Sequence, residues 1–150
     1  MTNEQAISAP RGRRLLAIPD VVNVWLARKL LVGSLALTFF WFGALKIAGV
    51  SPVIALLKAT FPFMANDPYL SMLGGLEILA AAGLLIPRLR PITLALIICH
   101  LIGTLSIVVI APHVVFAPEF PILTMEGEFV VKNLVLISAS LVLLMDTSDG

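Results

Sequence analysis

Four apolar runs, each close to the length of a bilayer crossing, constrain this chain more than any other feature. They lie at about Leu30–Val50, Tyr69–Pro87, Pro91–Ala111 and Phe129–Met145. A hydrocarbon core of ~30 Å takes ~20 helical residues, with a range of ~17–25. Composition agrees with membrane spans: 59% of the 150 residues are hydrophobic and 13% charged, and the mean hydropathy is +1.05. A soluble domain is about 45–50% apolar and roughly 25% charged, so a water-soluble core here would leave too few polar residues to cover its surface. The fold class is therefore all-α, an integral membrane four-helix bundle. A polar, basic flank with the start of helix one occupies 1–29, the membrane domain 30–145, and a short acidic tail 146–150.

The connections differ in character. IPRLRP between spans two and three is a tight turn, which makes those helices antiparallel neighbours. SPVIALLKATFPFMANDP between spans one and two is too apolar for a free loop. It is also too short to cross, being interrupted by Pro62, and predicts an interfacial or re-entrant helix over Val53–Ala59. PHVVFAPEFPILTMEGE between spans three and four predicts an irregular cap over the bundle. No internal repeat or low-complexity tract stands out. The first helix is expected to begin near Asp20, a capping residue directly after Pro19. These two residues also break the apolar stretch after RGRR, so the first span is expected to stay as an anchor and not to be removed as a signal peptide.

Lys and Arg placement sets the orientation. Arg11, Arg13, Arg14, Arg28 and Lys29 flank span one, and Arg88 and Arg90 lie in the two-to-three turn. The one-to-two connection has Lys58 alone, and the three-to-four connection has no basic residue of this kind. Both termini and the RLR turn are thus predicted on the cytoplasmic side. In that orientation four ionisable residues fall within the spans: Lys46, Glu77, His100 and Lys132. At ~1.5 Å per residue, Lys46 and Lys132 lie roughly 6 Å below the outer surface, Glu77 roughly 12 Å and His100 roughly 16 Å. A lone charge at mid-membrane costs about 2.5–3.5 kcal/mol on insertion scales, so Glu77 is expected to be neutral or paired. Either lysine reaches it if the helix faces agree. Leu73, Gly74, Ala80 and Ala81 share the Glu77 face, and small residues admit close helix approach in lipid. Glu77 is therefore expected to point into the bundle. Glu126 and Glu128 follow Thr124 as an acidic cap on the outer face, complementing the dipole of the last helix.

Several chemistries are excluded. The net charge of +1 without a basic block offers nothing to nucleic acid. The single cysteine, Cys99, rules out an internal disulfide, a CxxC pair and a cysteine-ligated zinc site. His100 and His113 are ~20 Å apart along a helix, too far to ligate one haem. HExxH, paired mid-membrane carboxylates and a Gly-rich phosphate loop are missing. No metal site and no catalytic motif is expected from these residues.

FFWFGALKIAGV, GGLEILAAAGLLIPRLRP and EGEFVVKNLVLISASLVLL resemble, in order and spacing, the spans of DoxX-like membrane proteins, the last also being similar to the YkgB-like group. The resemblance covers about residues 30–145. It implies a four-helix bundle in the bacterial inner membrane and a loose link to redox and oxidative-stress functions. Lys46, Glu77 and Lys132 would be the recurrent polar residues. The leading expectation is an accessory or structural subunit that assembles with other membrane proteins. Two alternatives stand beside it. One is a subunit binding a quinone or lipid-like small molecule, with Lys46 or His100 polarising a carbonyl; the other is a small transporter or channel acting as an oligomer.

Overall fold

The computed structural model describes residues 23–51, 53–62 and 67–148. The RGRR segment and the expected helix start near Asp20 lie outside the described residues. Eight helices follow in order among the described ones: α1 (Val24–Ile47), α2 (Val53–Thr60), α3 (Asp67–Leu85), α4 (Arg90–Leu105), α5 (Ile107–Ile110), α6 (Pro112–Val115), α7 (Met125–Val131) and α8 (Asn133–Ser148). Four stretches are long and apolar enough to cross a membrane: Val24–Ile47, Pro68–Leu85, Arg90–Ile110 and Met125–Asp146. The last two are each built from two helices, interrupted by single turn residues at Ser106 and Lys132.

Local chemistry sets the ends. The Asn23 side chain accepts from the Leu26 amide and caps α1. Span one was expected to reach Val50. It stops at Ile47 because Gly49 takes φ +70°, and the Val50 and Gly49 amides donate to the carbonyls of Leu45 and Lys46. This left-handed glycine stop satisfies the final carbonyls. At the far end of α3, Arg90 Nε donates to the Leu84 carbonyl, so the basic turn also caps the helix it follows. Thr124 caps α7 by accepting from the Gly127 amide, while its hydroxyl donates to the Val114 carbonyl. The connection between spans three and four is a compact structure of α6 and an antiparallel bridge from Phe116 to Leu123.

One buried apolar cluster joins Val32, Leu35, Ala36 and Phe39 around the middle of α1, Ala81 and Leu84 late in α3, Leu94, Ile97 and Leu101 along α4, and Leu143 late in α8. The tight turn between α3 and α4 and the antiparallel contact of α1 with α3 set the four spans up-down-up-down. Arg28 forms an ion pair with Asp146, which brings the start of α1 and the end of α8 to one end of the bundle. The opposite end is closed by a second cluster, Leu56, Ile107, Ala111, Val115 and Val130, where α2 packs over α5, α6 and α7. No more than a third of any span is buried inside the protein. Leu37, Trp41, Leu79, Leu96, Val135 and Val142 all point outward. An apolar exterior of this extent suits lipid and not water.

Candidate functional site

Between the two apolar clusters lies a polar layer, positioned by a tight crossing of α1 and α3. Gly43 and Gly74 face one another there. A methyl group added to either would come 2.6 Å from the carbonyl oxygen of the other. Gly43 packs on Glu77 and Ile78, and Gly74 packs on Lys46 and Ile47, so the contact is antiparallel and nearly self-complementary. The sequence carries the same symmetry: GALKI at 43–47 meets GGLEI at 74–78. With no side chain between the backbones, residues three positions along each helix are brought together across the crossing.

Those residues are Lys46 and Glu77. Lys46 Nζ donates to both carboxylate oxygens, at 2.8 and 2.7 Å, and the two residues are 4% and 6% exposed. Two N–H donors in one carboxylate form a charge-assisted pair of the strong kind, and the charges cancel within the bundle. His100 joins from α4: its Nε2 lies 3.2 Å from Glu77 Oε1, and its ring meets Phe39 edge-on at 6.4 Å. Lys46, Glu77 and His100 therefore form one layer.

Lys132 stands elsewhere. Its ammonium lies 3.6 Å from Glu128, one turn back on the same side of the helix, with the side chains 73% and 60% exposed. The reach to Glu77 expected from depth alone is not made, because the turn residue Lys132 points away from the bundle interior while its neighbour Asn133 is buried. Glu126 and Glu128 fall in the first turn of α7 behind the Thr124 cap, where carboxylates complement the helix dipole.

The polar layer opens into a cavity of about 340 Å³. Phe39, Phe42, Leu56, Leu57, Phe61 and Phe129 supply its apolar wall, and Thr38, Lys46, Glu77, His100, Thr104 and Asn133 its polar groups. Phe42 and Phe129 meet edge-to-face at 5.3 Å. A second cavity of about 230 Å³ adjoins it, lined by Glu126, Glu128, Lys132 and Met125 and sharing Val53, Leu56 and Phe129 with the first. Glu126, Glu128 and Lys132 thus border a second recess and not the polar layer itself. Among the described residues no three His, Cys, Asp or Glu side chains gather to hold a metal ion.

Two features of the candidate site escaped sequence reasoning. The glycine crossing was signalled by the five-residue echo of GALKI in GGLEI, too short to register as a repeat. Asn133 was signalled by being the one carboxamide within the four apolar runs. No protein-family model, curated protein or solved structure matches the chain, so the DoxX-like resemblance rests on its motifs alone.

Proposed function

We propose that this chain is a DoxX-like accessory subunit of a bacterial inner-membrane complex, both termini cytoplasmic, which holds a quinone- or lipid-like small molecule inside its bundle. The observation that carries the reading is the cavity of about 340 Å³ with the Lys46–Glu77–His100 layer in its wall. Ligand pockets run from about 300 to 1,000 Å³, mostly apolar with a few converging polar groups, and this cavity has that character. Four phenylalanines around it suit a ring or a branched hydrocarbon body. Lys46 commits two of its three N–H donors to Glu77. His100, with a third of its side chain exposed, is the freer group toward a bound carbonyl. A quinone would supply two-electron chemistry when bound. The protein's part is to bind it, orient it and exclude water.

A subunit role fits the same residues. They offer hydrogen-bond donors and a neutralised charge pair, and the sequence adds no nucleophile with a base at motif spacing. Binding of a short-tailed quinone to the protein in lipid nanodiscs tests the reading. Native protein is expected to bind it and Glu77→Gln to bind at least about tenfold more weakly, since the layer loses the carboxylate that fixes Lys46 and His100. Equal affinity in the two proteins, or binding in neither, removes the quinone reading. Purification in mild detergent without a stoichiometric membrane partner removes the subunit reading.

A further inference from the structure

Of the six polar side chains lining the cavity, five have a partner. Lys46 and Glu77 hold one another and His100 lies against Glu77. The Thr38 hydroxyl donates to the Ser34 carbonyl, and the Thr104 hydroxyl to the His100 carbonyl. The sixth, Asn133, is 5% exposed, lines the cavity, and has no hydrogen-bond partner among the described residues. Its amide atoms are not among the fully sealed ones, as the Ser140 hydroxyl is, and the residue is part of the cavity lining. A buried carboxamide left without partners is destabilising. At the first position of α8, a leucine of similar size would pack there without that penalty.

We infer that Asn133 is the recognition group of this cavity and that its ligand is an uncharged amphiphile with a hydroxyl head, such as a long-chain alcohol or a phenol. This rests on the reading of the cavity as a binding site. A carboxamide presents a carbonyl acceptor and an NH2 donor side by side. A ligand carbonyl or ether meets only the NH2 half. A hydroxyl both donates and accepts, and serves either half. Charge argues in the same direction. Lys46 and Glu77 already cancel, so a carboxylate or ammonium head would enter an apolar cavity without a free counter-charge. The head is held near the start of α8, and the apolar body lies along Phe42, Leu56, Phe61 and Phe129.

The test uses one alkyl chain with four heads: dodecanol, dodecyl methyl ether, dodecanoate and dodecylammonium. Equilibrium binding of each labelled probe is measured on the full-length protein in lipid nanodiscs, with empty nanodiscs subtracted. Native protein is expected to bind the alcohol at least about tenfold more tightly than the ether, and more tightly than either ion. Asn133→Leu is expected to bind alcohol and ether alike, both more weakly than native protein binds the alcohol, with measurable ether binding as the sign of an intact cavity. Asn133→Ala carries the same comparison if the leucine disturbs the fold. Equal binding of alcohol and ether by native protein, a preference that survives in both variants, or tightest binding of dodecanoate would each overturn the inference while leaving a ligand-binding cavity. Binding of no probe would overturn the cavity reading with it.

Discussion

Two lysine–glutamate pairs in this molecule use the same chemistry and differ in almost everything else. Lys46 and Glu77 meet from different helices, bidentate and buried. Lys132 and Glu128 sit one turn apart on one stretch of helix, longer in contact and largely exposed. The difference lies in what surrounds each charge. For the first pair the alternative to pairing is a bare charge among apolar side chains, so each residue is held by the need of the other. For the second the alternative is a hydrated charge, and little is lost when the contact opens. The buried pair acts as a pin through the α1–α3 crossing; the exposed pair decorates the rim of a recess.

The largest expected effect comes from breaking the buried pair on one side. Removing one partner of a buried ion pair costs about 3–5 kcal/mol, while replacing both by apolar residues is often close to neutral. Glu77→Leu is predicted to be the most destabilising of the single variants, because Lys46 then has no counter-charge. Lys46→Leu is predicted to cost less, since His100 remains 3.2 Å from Glu77. The double variant Lys46→Leu/Glu77→Leu is predicted to recover most of the loss. Unfolding titrations with SDS from mixed micelles measure all three. A double variant as unstable as Glu77→Leu would mean that the pair holds the bundle through more than mutual neutralisation.

The glycines beneath the pair come next. A methyl group at Gly43 or Gly74 meets the opposing backbone carbonyl at 2.6 Å, and backbone cannot step aside as a side-chain tip can. Overpacking of this kind costs about 1–3 kcal/mol. Gly75, the next residue along α3, has nothing within 4 Å of an added methyl. Alanine is the better helix former by about 0.8–1.0 kcal/mol. Neighbouring substitutions should therefore differ in sign: Gly74→Ala destabilises in the same SDS titration, and Gly75→Ala is neutral or stabilising. Two equal losses would show that the helices do not approach at this register.

How much of this was legible beforehand follows from which interactions are local. The spans are visible because a bilayer crossing imposes a length and a composition on consecutive residues. The short apolar helix between spans one and two, expected over Val53–Ala59 and found over Val53–Thr60, was visible because Pro62 and the apolar run bound it on the page. Depth along a helix follows from residue count, which put Lys46 and Lys132 at the same level. Azimuth does not follow from count, and azimuth separates them: Lys46 shares a helix face with Gly43, which α3 can approach, while the turn at Lys132 puts Asn133 inward in its place. Cavity walls contributed by α1, α2, α3, α4, α7 and α8 at once have no signature in any one segment.

The smallest expected effect completes the comparison. An exposed i, i+4 helix pair contributes about 0.3–0.5 kcal/mol, so Lys132→Ala should shift the SDS midpoint barely at all. Glu128→Ala should do the same, apart from a small loss of favourable charge at the start of α7. The contrast with Lys46 is the informative quantity, because both residues are lysines one turn below an expected membrane surface. If Lys132→Ala instead destabilises as strongly as Lys46→Leu, Lys132 has a buried acidic partner. Glu77 would then be the candidate, and a Lys132→Ala/Glu77→Leu cycle would show a coupling that the exposed geometry with Glu128 forbids. An effect within a few tenths of a kcal/mol keeps the two pairs distinct and leaves Asn133, and not Lys132, as the residue through which the start of α8 meets the cavity.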